Sequence, residues 1–405
     1  MLAERGDLYR EAKRTALILA VSQAVVGSAA PIAISMGGLA GFYLLGSDKS
    51  LATAPVTGFN IGVAVGALPA AALTRAIGRR NSLMSGGLVT ACGGFVAALA
   101  LFQADFWLFA LGLLLVGMGN AFLQQYRFAA ADNAPSDFKA RAISWVLGGG
   151  VFAAVIGPQI VIHTRDLFAP IMFAGAFASL IVIGLVGSAV LSLLRASKDA
   201  PSAKLDDHQP ARPLLAIMTQ PRFLVALLCG VASYALMSFV MTGAPLAMVG
   251  CGFTPDEATL GISWHVMAMF APSFVTGRLI ARFGKETIVA TGLLLLIGCA
   301  VVALSGIALW QFWTALILLG VGWNFGFIGA TAMVADCYHA SEKSAVQGVH
   351  DFILFSTTAV ASLMSGQIYN AYGWDMLAII VLPVSIFCLA ALGVQALRRR
   401  SRAVA

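Results

Sequence analysis

The sequence contains few charged residues: Asp, Glu, Lys and Arg together make up 11% of its 405 residues. Soluble globular domains average about 25%, so this scarcity excludes a water-soluble protein of this length. Hydrophobic residues make up 60% of the chain, and the mean hydropathy is +0.89. This balance predicts a protein embedded in a lipid bilayer.

Motifs for metal binding and covalent chemistry are also missing. The six cysteines show no CxxC or CxxxC spacing, and four of them lie inside apolar runs. This pattern predicts packing roles and excludes a disulfide framework and a metal site. Walker A, HExxH and GxSxG motifs are absent, which excludes ATP hydrolysis and covalent catalysis. We therefore expect no enzyme activity and no cofactor.

Basic residues exceed acidic ones, and the formal net charge is +7. The basic residues lie in the short gaps between apolar runs and form no single patch, so nucleic acid is not an expected partner. With both termini on one side of the membrane, nearly all Lys and Arg residues fall on that side. The three exceptions are Lys49 and Arg165 on the opposite side and Arg127 within a span. By the positive-inside rule, both termini are predicted to be cytoplasmic.

Apolar runs of about 20 residues, the length that crosses a bilayer, occur twelve times. The predicted spans are 15–46, 52–74, 82–103, 106–130, 142–164, 170–194, 222–249, 257–281, 287–306, 310–334, 345–369 and 374–397. A polar stretch separates the first six spans from the last six. It predicts a cytoplasmic linker at 195–221 between an N-terminal half, 1–194, and a C-terminal half, 222–405.

A basic glycine turn occurs once in each half, after the second span and after the eighth. The first copy ends Gly78-Arg79-Arg80 and the second ends Gly284-Lys285. Two further short motifs recur at equivalent positions of the two halves. Gly117-Met118-Gly119 recurs as Gly320-Val321-Gly322, and Ala131-Asp132 recurs as Ala335-Asp336. Internal duplication of membrane helices is typical of transporters.

Twelve spans divided six and six, with this turn in both halves, resemble the major facilitator superfamily over essentially the whole chain. The resemblance implies an all-α membrane protein of two pseudo-symmetric six-helix bundles. It also implies a secondary transporter that works by alternating access on a small molecule, with a proton or sodium as coupling ion. We expect a monomer that contacts only lipid and its cargo.

The family's turn motif contains an aspartate that both copies lack, since Arg75 and Ala281 stand in its place. If the inner gate is latched, another acid is needed. Asp132 and Asp336 are the predicted gate residues because the repeat relates them. The residues of the turn itself, Gly78, Arg79, Arg80, Gly284 and Lys285, complete the gate motif.

Two short segments narrow the resemblance: Tyr126-Arg127-Phe128-Ala129-Ala130-Ala131-Asp132 and Gly322-Trp323-Asn324-Phe325. They resemble a subgroup of bacterial permeases, some of which take up riboflavin. This resemblance implies uptake across the cytoplasmic (inner) membrane of a bacterium, with riboflavin as one candidate cargo.

Two other functions remain open. Gly157-Pro158 resembles the Gly-Pro of the antiporter motif, so a proton-coupled exporter of drugs or metabolites is one alternative. Its neighbouring glycines are replaced by Ala153 and Val161-Ile162, which weighs against export. The other alternative is a membrane sensor that does not transport.

Polar side chains away from span ends concentrate in the first, fourth, seventh and tenth spans. The third, sixth, ninth and twelfth spans have essentially none beyond Ser, Thr and Cys. Polar groups against lipid cost on the order of a few kcal/mol, so these side chains should face a central cavity. In the fourth span, Asn120, Gln124 and Arg127 share one helix face because they are spaced i, i+4 and i+7. The predicted contacts to a planar, polar or weakly anionic solute are Gln23, Asn120, Gln124, Arg127, Tyr234, Trp323 and Asn324.

His350 and Asp351 are the predicted proton-coupling residues, roughly 10 Å inside the eleventh span. A carboxylate at that depth could take up a proton during the cycle. Adjacent residues do not share a helix face, so the alternative is that Asp351 bonds to the loop before it. In the eighth span, His265 is interpreted as a satisfied buried histidine.

Overall fold

The computed structural model describes residues 2–132, 134–135, 138–195, 212–339 and 342–404, which contain helices and no strand. The N-terminal half contains α1 (Leu2–Val26), α2 (Ala29–Leu44), α3 (Ala54–Ile77), α4 (Arg79–Gln103), α5 (Phe106–Leu123), α6 (Tyr126–Asp132), α7 (Lys139–Thr164) and α8 (Ala174–Ser192). The C-terminal half contains α9 (Leu214–Met218), α10 (Pro221–Gly250), α11 (Pro255–Phe270), α12 (Ser273–Phe283), α13 (Lys285–Leu304), α14 (Leu309–Ala335) and α15 (Lys343–Val404).

Ten helical segments in the described part of the chain are long and apolar enough to cross a membrane, or eleven when the bent pair α11 and α12 counts as one span. The longest, Ala345–Arg398, has the length of two spans. Gly373 interrupts its helical geometry with φ 78° and ψ −171°. Division at Gly373 gives the twelve predicted segments, and we call the two parts of α15 the first limb (343–372) and the second limb (374–404).

Three predicted spans are broken, although the sequence predicts each as continuous. The first span is interrupted between α1 and α2, the fourth between α5 and α6, and the eighth between α11 and α12, where the axis bends by 43°. Pro272 lies at the third break and has no N–H to donate. Broken helices at membrane depth occur where protein or a water-filled cavity surrounds them, so the breaks point to the centre of the molecule.

The two glycine turns share one backbone conformation. Gly78 has φ 77° and ψ 160°, and Gly284 has φ 88° and ψ 156°. Residues with a Cβ rarely adopt this conformation, which explains glycine at both places. Each turn starts a new helix, α4 or α13, so the sequence repeat is also a structural repeat.

The end of the predicted linker is held against the loop before α15, although residues 196–211 lie outside the described part of the chain. Arg212 donates to both carboxylate oxygens of Glu342, each at 2.8 Å, and its backbone N–H donates to the same group. Glu342 is 3% exposed. The Arg212 guanidinium holds the pKa of Glu342 well below its usual range. The region of the predicted linker also contains a short helix, α9, which the sequence did not predict.

The two halves pack together at the end of the bundle that lies away from the chain termini, here called the far end. Gly38 of α2 lies against Leu246 of α10, and the stretches around both residues are buried. Across the same interface, Ser263 donates to the carbonyl of Ala154 at 2.5 Å. These contacts close the far end.

An ion pair adds to this closure at the far end. Arg165, which follows α7, lies 2.6 Å from Asp256 at the start of α11. Nearer the termini, by contrast, Gln124 of the N-terminal half and Asp351 of the C-terminal half are exposed. The interface therefore opens toward the termini end.

Candidate functional site

Four aromatic side chains of the C-terminal half form one cluster, called here the aromatic cluster. The ring of Tyr234 in α10 lies 5.5 Å from Trp323, 5.1 Å from Phe327 and 5.9 Å from Phe355, in edge-to-face contacts. Trp323 and Phe327 stack at 5.3 Å because i, i+4 residues meet on one face of α14. The contacts of Tyr234 and Trp323 with cargo stay a prediction. The sequence analysis did not single out the two phenylalanines, and the i, i+4 spacing to Trp323 is the available signal for Phe327.

Arg127 of the opposite half lies within electrostatic range of this cluster. Its side chain is exposed. It interacts electrostatically with Asp351 of α15 and with Tyr234. A cation of one half thus faces an acid and an aromatic ring of the other.

The predicted polar stripe of the fourth span is divided between two helices. Asn120 is half-buried in α5, Gln124 is exposed just after α5 ends, and Arg127 belongs to α6. The regular spacing that places all three on one face assumes an unbroken helix, so the break changes their relative directions. Their contacts with cargo stay a prediction.

His350 and Asp351 are direct partners despite being adjacent. His350 Nδ1 lies 2.9 Å from Asp351 Oδ1, whereas the alternative was a bond from Asp351 to the preceding loop. The imidazole is 5% exposed and lies against Gly230 of α10, while the carboxylate is 60% exposed. The buried ring therefore holds an accessible carboxylate in place, and proton coupling stays a prediction.

Asn324 does not line the cavity, contrary to the prediction. Its side chain is fully buried, and its amide nitrogen donates to the Met269 carbonyl and to Ser273, both at 2.7 Å. Its amide oxygen accepts from Thr276 at 2.6 Å. Since these partners lie on both sides of the break between α11 and α12, Asn324 holds the bent span together.

Gln23 and His265 lie at helix contacts. Gln23 is half-buried, and its side chain packs against Gly149 of α7 and Gly27 beside the first break. Its predicted contact with cargo stays a prediction. His265 is fully buried between α11 and α14, with Nδ1 2.8 Å from the Leu316 carbonyl. That position agrees with its interpretation as a packed histidine.

The basic turn of the C-terminal half forms a charge network with Asp336. Lys285 donates to Asp336 Oδ1 at 2.5 Å, Arg222 donates to its Oδ2 at 2.7 Å, and Arg222 also pairs with Glu286 at 3.1 Å. Partial burial by itself would raise the pKa of Asp336, but these hydrogen bonds lower it.

All four charged groups belong to the C-terminal half. Asp336 therefore ties α10, α13 and α14 together within one half, whereas the predicted gate needs a bond between halves. The side chain of Asp132, its predicted counterpart, lies outside the described part of the chain. The gate role of Asp132 stays a prediction.

Comparisons with known proteins agree with this architecture. The sequence profile of the Major Facilitator Superfamily matches residues 15–349 and 226–404. The chain is 52% identical to the riboflavin transporter RfnT of Brucella anthropi, covering 92% of this chain and 93% of that protein. It is 30% identical to the uncharacterized MFS-type transporter YddS of Bacillus subtilis, covering 93% and 88%.

Among solved structures, a variant of the nucleoside transporter NupG superimposes with a TM-score of 0.69 at 13% identity, covering 94% of this chain and 99% of that one. At that identity the likeness shows the fold alone. Together with the matches along the sequence, it confirms the predicted all-α transporter fold and a secondary transporter in place of an enzyme. The chain belongs to the major facilitator superfamily.

Proposed function

We propose that this protein takes up riboflavin across the cytoplasmic membrane of a bacterium. One observation carries the proposal: the aromatic cluster of the C-terminal half lies one helical turn from the exposed carboxylate of Asp351. Riboflavin combines a planar ring system with polar edges and a hydroxylated chain. The identity of 52% to a riboflavin transporter supports the same cargo.

The charges at the site favour a neutral cargo. Arg127 and Asp351 carry opposite charges that compensate each other, so a neutral molecule that hydrogen-bonds to both leaves no charge unpaired. A phosphorylated flavin would bring additional negative charge into the same space. We therefore expect riboflavin to be preferred over its 5′-phosphate.

The described conformation is the inward-open one in this proposal. The far end is closed by the contacts of α2 with α10 and by the Arg165–Asp256 pair. With the termini in the cytoplasm, as the positive-inside rule predicts, the open end faces the cell interior. Riboflavin bound from outside is released there after the halves rock about the site.

A gradient supplies the energy, since the sequence has no ATP-binding motif. Asp351 is the proposed proton acceptor because it is an accessible acid held by a buried histidine. Loss of its charge would weaken its electrostatic attraction to Arg127 and so bias the two halves toward a different arrangement. Sodium is the other candidate ion, and the pH dependence of uptake separates the two.

Uptake is tested in a bacterium that neither makes nor imports riboflavin. Expression of this protein should restore growth at low external riboflavin, and radiolabelled riboflavin should accumulate saturably in proteoliposomes. Cells that lose labelled flavin would indicate an exporter instead. Purified protein that binds riboflavin while proteoliposomes show no uptake would indicate a sensor.

A further inference from the structure

We propose that Pro158 and Ser263 form a switch that holds the far end closed. Proline at position 158 leaves the Ala154 carbonyl without its partner inside α7, and the Ser263 hydroxyl of the opposite half donates to that carbonyl at 2.5 Å. This hydrogen bond, called here the interhalf bond, joins the halves only while the far end is closed. The inference goes beyond riboflavin uptake, because it concerns the equilibrium between the two conformations and holds for any cargo.

The Ala154 carbonyl lacks a partner in its own helix because of the sequence of α7. In an α-helix the carbonyl of residue i accepts from the N–H of residue i+4, and the residue four positions after Ala154 is Pro158. Proline has no N–H, and its ring also clashes with the carbonyl of residue i−4. The helix α7 nevertheless continues through Pro158 as far as Thr164. A carbonyl at membrane depth that its own helix cannot satisfy needs a partner elsewhere.

Ser263 supplies that partner although an acceptor lies nearer to it. A serine inside a helix commonly donates to the carbonyl four residues earlier, which for Ser263 belongs to Thr259. Its hydroxyl donates across the interface to Ala154 instead. Ser263 is 7% exposed and Ala154 is fully buried, so the interhalf bond is shielded from water. Loss of the hydroxyl would therefore leave a buried carbonyl unsatisfied, which is costly.

The interhalf bond lies in the middle of an antiparallel contact between α7 and α11. On its termini side, Gly150 of α7 lies against the ring of Phe270. On its far side, Arg165 pairs with Asp256. Ala154 itself packs into the hydrophobic core of the C-terminal half. Because α7 contacts the opposite half on both sides of this bond, separation of the halves at the far end has to break it.

Both partners have alternatives once the far end opens. Ser263 can turn back to the Thr259 carbonyl, and the Ala154 carbonyl then faces the water that enters between the halves. The interhalf bond is thus exchanged for other hydrogen bonds, which leaves a small net difference between the two conformations. A transporter that alternates between them requires such a balance. Pro158 thereby has a role in gating that does not depend on proton-coupled export.

Distances across the far end test the inference on the purified full-length protein without cargo. In a Cys92→Ser background, one spin label is placed on the native Cys251 of the C-terminal half, which is exposed, and the other on Leu167→Cys, an exposed position just after α7. The four other cysteines are buried. Pulsed electron paramagnetic resonance then gives a short distance for the closed far end and a longer one for the open far end. Because riboflavin is absent, the result is independent of the proposed cargo.

Ser263→Ala should raise the ratio of open to closed protein on the order of 5–100-fold, the effect of leaving a buried carbonyl without its partner. Thr259→Val is the matched control. This buried hydroxyl of the same helix donates within α11, to the Pro255 carbonyl, so its removal should leave the ratio unchanged. A cooperative unfolding transition shows that each variant is folded.

Pro158→Ala separates the switch from a bond that only adds stability. Alanine restores the N–H at position 158, so the Ala154 carbonyl is satisfied within α7 in both conformations. In that background Ser263→Ala should change the ratio by less than about twofold, since the carbonyl no longer depends on the hydroxyl. If Pro158→Ala does not fold, Ser263→Cys takes its place. Its weaker S–H donor should shift the ratio in the same direction as Ser263→Ala but by less.

An unchanged ratio in Ser263→Ala would overturn the inference, as would a shift toward the closed far end. An equal shift with and without Pro158 would show that the proline does not free the carbonyl, and would also overturn it. A shift in Thr259→Val as large as that in Ser263→Ala would assign the effect to hydroxyl loss in general and contradict the switch.

Discussion

The two halves of the molecule share a backbone plan but line the central gap with different chemistry. The C-terminal half contains aromatic rings from α10, α14 and the first limb of α15. In the N-terminal half the predicted polar contacts lie near helix breaks, with Gln23 beside one break and Gln124 within another. In the proposed site, one half thus contributes aromatic rings and the other contributes hydrogen-bonding groups beside helix breaks.

The glycine turns show the same divergence. In the C-terminal half the turn is followed by Lys285 and Glu286, and these charges join Arg222 and Asp336 in one network. In the N-terminal half the same positions hold Arg79 and Arg80, so the turn brings two like charges. Duplication has preserved the conformation of the turn while the charge balance around it has changed.

The largest expected effect concerns Arg127, a polar side chain of the N-terminal half. Arg127→Ala should lower riboflavin uptake on the order of 100-fold or more, because it removes the cation of the N-terminal half that interacts electrostatically with Asp351. Initial uptake rates in proteoliposomes measure this, with expression and melting temperature as controls. Arg398→Ala, which removes an exposed arginine of the second limb, should leave uptake unchanged. Normal uptake by Arg127→Ala would remove the N-terminal half from cargo binding.

The next effect tests whether Asn324 holds the bent span. Asn324→Ala should lower the free energy of unfolding by about 1–3 kcal/mol, since buried partners lose their hydrogen bonds. Thermal unfolding in detergent should show the loss, while folded protein keeps its affinity for riboflavin. Asn370→Ala, at an exposed position of α15, is the control. Weakened binding at unchanged stability would make Asn324 a cargo contact after all.

A smaller effect is expected at the aromatic cluster of the C-terminal half. Trp323→Leu should raise the dissociation constant of riboflavin about 3–10-fold, since an aromatic contact contributes about 0.5–1.5 kcal/mol. Trp323→Phe should preserve most of the affinity because it keeps a ring at the same place. Quenching of flavin fluorescence on binding measures both. Equal affinity in all three proteins would show that the cluster packs the C-terminal half without touching cargo.

The smallest effect concerns the clasp between Arg212 and Glu342. Because the folded state lowers the pKa of Glu342, the clasp contributes stability above the unfolded value of about 4.3, and this contribution is lost as the pH falls toward the folded value. Wild-type protein should therefore lose more thermal stability than Glu342→Gln between pH 6 and pH 3.5. Parallel curves for the two proteins would show that the clasp adds no pH-dependent stability.

The sequence predicts the spans because hydrophobic length is a local property. It also singles out Tyr234 and Trp323, whose contacts with cargo stay a prediction. It misplaces Asn324, since an amide in a Gly-rich membrane span looks the same whether it meets cargo or Ser273 and Thr276. The pairing of Arg127 with Asp351 depends on how the halves face each other. No local pattern contains that information.

The helix α15 has a consequence beyond the site it carries. Its two limbs are joined through the single non-helical residue Gly373, without a loop. The first limb holds Asp351, and the second exposes large apolar side chains such as Ile386 and Phe387 to the surroundings. A span in contact with lipid changes its tilt when the hydrocarbon thickness changes. A change in the thickness of the host membrane would therefore tilt the helix that also carries Asp351.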